Sequence, residues 1–162
     1  MTKNFDFHCS GSGAPILFVP GSYSTPAAWR PVQSHLPEGF EFFATSLSGY
    51  GQSRERRSNA DISLNPQIDL LSEVVKKIGA PVHLVAHSFG GLVSLGFLET
   101  APETVLSVTF FEANPLGLLK LEGESDLDAE LQAMIAGFQA QVNAHDPDAA
   151  KTIIDYYGGA GF

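Results

Sequence analysis

Along the 162 residues, apolar positions alternate between short continuous runs and stripes of helical spacing, with turn formers in between. Phe5, Phe7 and Cys9 alternate as a short strand does, and Gly11-Ser12-Gly13 turns the chain after them. Ile16 to Val19 is an uninterrupted apolar run stopped by Pro20-Gly21, the pattern of a strand buried on both faces. Glu41 to Ser46 predicts the next strand, ended by Gly49-Tyr50-Gly51. Asn65-Pro66 predicts a helix start, with Asn as cap and Pro in the first turn. Ile68, Leu71, Val75 and Ile78 then recur on one face until Gly79 ends the helix. Val82 to Ala86 predicts a strand that runs directly into Ser88. Leu92 to Leu98 is apolar nearly all round, so that helix must be buried on most sides. Val105 to Phe111 completes the series. Strands alternating with helices from Ile16 onward imply right-handed crossovers over a mostly parallel sheet with flanking helices, the α/β class.

After Pro115 the pattern changes. Ser125 is placed to cap a helix with Asp126, Asp128 and Glu130 near its start, and Leu127, Leu131, Met134, Ile135, Phe138 and Val142 form its apolar stripe. A second helix is expected over Pro147 to Tyr157. Two readings stand for this part: ordinary surface helices, or a lid over a pocket. The expected organisation is a core over residues 1–115 and a helical segment over 116–162.

Charge sharpens the same boundary. Nine Lys and Arg against 18 Asp and Glu leave a net −9. Up to Phe111 there are nine acidic and seven basic residues, and from Glu112 onward nine acidic and two basic. This balance argues against nucleic acid or an anionic membrane as the main partner. No apolar stretch reaches the ~18 residues of a membrane span, and the first residues carry no apolar signal-peptide core. The single cysteine, Cys9, rules out an internal disulfide and a thiolate metal cluster and suits a reducing compartment. The expected location is the cytoplasm. Neither a metal site nor a nucleotide-binding loop is found, so no cofactor is expected.

The chemistry concentrates at Ala86-His87-Ser88-Phe89-Gly90-Gly91. A serine hydroxyl is a weak nucleophile near neutral pH and must be held rigidly toward a substrate and a base. A tight strand-to-helix turn does so, and small residues two before and two after the serine let strand and helix pass closely; Ala86 and Gly90 supply them. The following helix points its N-terminus at the reacting centre, where the Phe89 N–H can donate to an oxyanion. A second donor is expected from the turn after the Ile16 to Val19 strand, from Ser22 first and Tyr23 second.

These residues resemble the N-terminal part of the α/β-hydrolase superfamily, among its single-domain esterase-like members. Leu17-Phe18-Val19-Pro20-Gly21-Ser22 resembles the strand and oxyanion loop, with Pro20 where a His usually precedes the glycine. Leu47-Ser48-Gly49-Tyr50-Gly51-Gln52-Ser53 resembles the family's proline-glycine-x-glycine-x-serine loop, with Ser48 in place of the proline. His83 to Gly91 resembles the nucleophile elbow, with Ala86 for the usual first glycine, and Val105 to Pro115 the next strand and its exit. The likeness covers about residues 5 to 115, and the acidic remainder resembles the start of the family's lid. It implies a serine-dependent hydrolase that acts through an acyl-enzyme on a small, largely apolar ester or related carbonyl compound. Haloalkane dehalogenases and epoxide hydrolases of this fold use Asp at the elbow, so Ser88 disfavours those activities.

The resemblance also implies a chain order of nucleophile, acid and histidine, with the histidine near the end of a substantially longer chain, so the 162-residue form is expected to be truncated. His87 is expected on the strand face opposite the Ser88 hydroxyl, lining the pocket with Tyr23. His83 reads as a hydrogen-bonded strand histidine; His8 and His35 lie in the wrong elements, and His145 falls on a lid helix. Glu112, at the end of the strand after the nucleophile, stands where some relatives place their acid, against the reading of an ordinary loop carboxylate. Without the strand that flanks it in the superfamily, Val105 to Phe111 is expected to expose an apolar edge that invites pairing with another chain or with a second copy. Two other outcomes stay open: a non-catalytic ligand-binding or sensor protein of the same fold, and a lyase or perhydrolase using the same serine.

Overall fold

A computed structural model describes residues 5–58, 60, 61 and 63–159. Five strands form one sheet: β1 (His8–Gly11), β2 (Ala14–Val19), β3 (Phe40–Ala44), β4 (Val82–His87) and β5 (Val105–Phe111). Their spatial order is β1-β3-β2-β4-β5. β1 runs antiparallel to β3, and every other neighbouring pair is parallel. The sheet is therefore mostly parallel with flanking helices, as the alternation of strand and helix patterns implies. The expected strand near Phe5 to Cys9 forms three residues later than Phe5, and β5 occupies the expected span.

One sheet face packs on helices α2 (Asn65–Ile78) and α3 (Phe89–Thr100), which close over Leu17 and Val19 of β2 and Leu84 and Ala86 of β4. The other face holds Ile16, Phe18 and Ala44 under Trp29. Trp29 ends a 3₁₀ turn (Pro26–Trp29) that runs into the one-turn helix α1 (Arg30–Gln33). This segment gives no periodic apolar signal in the sequence, yet it supplies the ring that seals the second face.

The helix ends differ from expectation. Asn65 lies inside α2 and its N–H is received by Ser63 Oγ at 3.2 Å, so it does not cap the helix. The buried face of α2 is Leu70, Leu71, Val74 and Val75, with Ile68 and Ile78 only partly covered. Gly79 does end α2, in the left-handed conformation that favours glycine. α3 starts at Phe89, directly after the turn, as expected, and runs two residues past Leu98 to Thr100.

The chain divides into two compact units, Met1–Asn114 and Pro115–Phe162. The second contains α4 (Leu118–Leu121), α5 (Ser125–Asn143) and α6 (Ala149–Gly158). Ser125 is the first residue of α5 and not its cap, its N–H donating to Gly123 O at 2.8 Å. Gln141 and Thr152 hydrogen-bond across α5 and α6. Of the expected α5 stripe Leu131 is buried, while Leu127 and Val142 are exposed. Among the described residues no helix is long and apolar enough to cross a membrane.

Candidate active site

The site is built where β4 meets α3. Parallel pairing on both sides, with β2 and with β5, fixes β4, and alternation places Val82, Leu84 and Ala86 in the helix-covered core. The odd-numbered residues face the other way. Val85 packs with Phe18 and Trp29, and His83 Nδ1 lies 2.8 Å from Ser107 Oγ of β5, the hydrogen-bonded role expected of it. His87 continues this face.

At Ser88 the alternation breaks. Its backbone sits at φ 51° and ψ −124°, a conformation that L-residues rarely adopt and that costs about 1–3 kcal/mol wherever the surroundings enforce it. The enforcing contacts are visible. Ser88 N–H donates to Phe111 O at 3.0 Å, which ties the turn to the end of β5. Ser88 O accepts from Gly91 and Leu92 at 2.8 and 3.2 Å and so starts α3. The N–H groups of Phe89 and Gly90 precede these first intrahelical donors and stand at the helix mouth.

Glycines set the clearances. A Cβ on Gly90 would overlap the carbonyl oxygens of Val19 and Pro20, so only glycine lets α3 start against the end of β2. A Cβ on Gly21 would come within 3.0 Å of both His87 Nδ1 and Ser88 Cβ. The loop after β2 therefore lies directly on the elbow, and Ser22 follows Gly21 in it. Tyr23 has a left-handed φ of 57° and is well exposed. Its ring meets Tyr50 edge-on at 6.1 Å, and partial burial followed by Tyr50 raises its phenol pKa, keeping the hydroxyl neutral.

Beside the elbow opens a cavity of about 510 Å³ whose wall includes Gly21, Ser22, Trp29, His87, Phe111 and Glu112. His87 is thus a wall residue. Glu112, at φ 48° just past β5, brings its Oε2 to 4.0 Å from His87 Nε2, and its side chain is almost fully exposed. Among the described residues the Ser88 hydroxyl makes no hydrogen bond to a histidine. His145, at φ 57° after α5, belongs to the second unit.

Sequence reasoning missed two features. Trp29 contributes to the cavity wall, and the only signal for it was its being the single tryptophan of the chain. Gln67, fully buried in α2, clamps the loop after β3: it accepts from Ser48 N–H at 2.7 Å and donates to Ser48 O at 3.2 Å. A polar residue inside an apolar helix face was the available signal. Asp6 holds the far side of that loop, accepting from Ser46 Oγ at 2.6 Å and Gln52 N–H at 2.8 Å. Among the described residues no group of three or more His, Cys, Asp or Glu side chains is arranged to hold a metal ion.

Comparison with known proteins agrees with this geometry. The chain is 25% identical over 115 residues to a pimeloyl-[acyl-carrier protein] methyl ester esterase of Aliivibrio salmonicida, a match covering 71% of this chain and 42% of that protein. It is 30% identical over 104 residues to a 2-hydroxymuconate semialdehyde hydrolase of Pseudomonas sp. strain CF600, covering 62% and 36%. A haloalkane dehalogenase of Agrobacterium fabrum is also 30% identical over 105 residues, covering 63% and 33%. The chain thus spans well under half the length of these curated relatives. In fold it is similar to the Bacillus megaterium epoxide hydrolase crystallised with an inhibitor, with a TM-score of 0.74 at 21% identity over 97% of this chain and 58% of that one. An esterase from Exiguobacterium antarcticum superposes at 0.62 and 22% identity, covering 68% and 42%. The family model for the alpha/beta hydrolase fold matches residues 14–159, and the chain belongs to that family.

Proposed function

We propose that the protein is a serine-dependent hydrolase of ester or related carbonyl substrates, with Ser88 as the nucleophile. The backbone of Ser88 carries this reading: a non-glycine residue forced to φ 51° between a buried strand and a helix N-terminus. In the proposed cycle Ser88 Oγ attacks the carbonyl carbon and passes its proton to a base. The carbonyl oxygen takes up the negative charge against the N–H groups of Phe89 and Ser22. Collapse expels the protonated alcohol or thiol and leaves an acyl-enzyme, and water then releases the acid by the same steps. A histidine takes the base role, and Glu112 is the candidate acid. Serine at the elbow favours acyl transfer as the reaction class.

The test is labelling of the whole encoded protein with a fluorophosphonate, read by intact mass and peptide mapping. One adduct on Ser88, absent in Ser88→Ala, is expected. No adduct on the wild-type protein overturns the proposal and leaves the second reading, a ligand-binding or sensor protein of this fold. That second reading is favoured by one observation, the lack of a histidine on the Ser88 hydroxyl among the described residues. The single cysteine, Cys9, is free and exposed, which accords with a reducing, cytoplasmic location.

A further inference from the structure

The loop after β2 carries a strained residue that its own backbone does not hold. Gly21 packs on His87 and Ser88, so Ser22 and Tyr23 continue the chain beside the elbow. Among the described residues no backbone–backbone hydrogen bond ties down Ser22, Tyr23 or Ser24. Tyr23 nevertheless stands at φ 57°, a left-handed conformation that is unfavourable for a residue with a Cβ. Such a backbone persists only where the surroundings enforce it.

The enforcing contact comes from the loop after β3. The Tyr23 ring meets Tyr50 edge-on, with centroids 6.1 Å apart and an interplanar angle of 84°. Tyr50 is itself well anchored. Its N–H donates to Leu47 O at 3.1 Å, and its carbonyl accepts from Ser53 N–H at 2.9 Å. Buried Gln67 clamps Ser48 on one side of it, and Asp6 receives Gln52 N–H on the other. The Arg57 guanidinium lies 6.0 Å from the centroid of its ring. Resting on the serine-hydrolase reading above, in which the Ser22 N–H is an oxyanion donor, we propose that Tyr50 is a positioning residue: its ring holds Tyr23 in the left-handed backbone and so keeps the adjoining Ser22 N–H aimed at the oxyanion. Tyr50 acts through Tyr23 and Ser22 and touches no reacting atom.

The test compares Tyr50→Phe, which keeps the ring, with Tyr50→Ala, which removes it, in the whole encoded protein hydrolysing p-nitrophenyl butyrate. An aromatic pair of this kind biases the loop about threefold to tenfold, so Tyr50→Ala should lower kcat by that factor with KM nearly unchanged, and Tyr50→Phe should keep wild-type kcat. Inhibition by trifluoromethyl butyl ketone gives a second readout. Ser88 Oγ adds to its carbonyl carbon, the proton passes to the base, and the adduct retains an oxyanion with no leaving group to expel, so Tyr50→Ala should weaken inhibition by the same factor as kcat. Tyr23→Ala, at an exposed position, removes the same contact and decides the matter if Tyr50→Ala does not fold. The double variant should lose no more than either single one, because both remove one contact. An unchanged kcat in the alanine variants, additive losses, or a Tyr50→Phe as impaired as Tyr50→Ala overturns the role of Tyr50, and Ser88-dependent hydrolysis by wild type then leaves the hydrolase reading intact. Absence of Ser88-dependent hydrolysis in wild type overturns that reading and the positioning role with it.

Discussion

Strands β4 and β5 lie side by side in parallel register and are both rich in apolar residues, yet their surroundings differ. Val82, Leu84 and Ala86 of β4 are fully buried, whereas Leu106, Phe110 and Phe111 of β5 are 58%, 37% and 47% exposed. β4 is paired on both sides and roofed by α2 and α3; β5 is the last strand of the sheet and pairs with β4 alone. Composition marks a segment as a strand, but the number of neighbours decides whether its side chains leave water. The consequence for the site is direct. Ser88 is presented by the strand paired on both sides, while β5 contributes the Phe111 carbonyl that ties the turn and the Phe111 residue of the cavity wall.

Leu84→Ala tests this contrast most strongly. It removes a side chain closed in by the sheet and both helices, and chemical denaturation should show a loss of about 2–5 kcal/mol. Leu106→Ala on β5 should cost less than about 1 kcal/mol. Comparable losses would break the comparison and would mean that β5 is covered in solution. We propose that its edge pairs with a second copy or another chain, and Leu106→Lys sharpens that point. A charge on an exposed edge strand opposes pairing, so sedimentation velocity should report a smaller species for this variant than for wild type at equal concentration. Identical sedimentation, both monomeric, removes the pairing proposal without touching the fold.

Ser88→Gly probes the end of β4 where its rigidity is used. Glycine adopts φ 51° without the Cβ clash, so the variant should be more stable than wild type by about 1 kcal/mol, offset in part by the greater freedom of glycine in the unfolded chain. The gain should be read against Ser88→Ala, which keeps the Cβ and so keeps the strain. Fluorophosphonate labelling should vanish in both. If Ser88→Gly melts below Ser88→Ala, the turn is not strained and the argument from backbone to nucleophile weakens.

How much of this was legible in the residues follows the same contrast. α2 and β5 start and stop where Pro66, Gly79 and the run Val105 to Phe111 say, because local turn chemistry and continuous apolar runs set those limits. The elbow was legible because close passage of strand and helix demands Ala86 and Gly90 at fixed positions. Trp29 was not, since its burial depends on β2 and β3 presenting Phe18 and Ala44 beneath it, a contact remote in the chain. Asn65 and Ser125 were read as caps from residue type, but α2 and α5 each begin at these residues, one position earlier than a cap requires. The closeness of His87 to Glu112 was equally hidden: alternation gave the face of His87, while the left-handed backbone that places Glu112 beside it is set by the exit from β5.

The smallest expected effect concerns the loop after β3, which packs Tyr50 against Tyr23 of the loop after β2. Glu55 receives Arg57 Nε at 2.9 Å and a terminal Arg57 nitrogen at 2.7 Å, and Ser48 Oγ also donates to it at 3.1 Å. These bonds, Arg57 foremost, lower its pKa from 4.5 to about 2. A carboxyl group with a depressed folded-state pKa stabilises the fold above its unfolded pKa, and that contribution disappears as pH falls through the folded value. Stability should therefore decline from about pH 4.5 toward about pH 2, and Glu55→Gln should lose part of that decline while melting slightly lower at pH 7. Both side chains remain substantially solvent-exposed, so screening keeps the effect well below that of Leu84→Ala, and added salt should shrink it further. A Glu55→Gln melting curve parallel to wild type across this pH range would show that Arg57 does not hold the loop. Tyr50 would then support Tyr23 by ring contact alone.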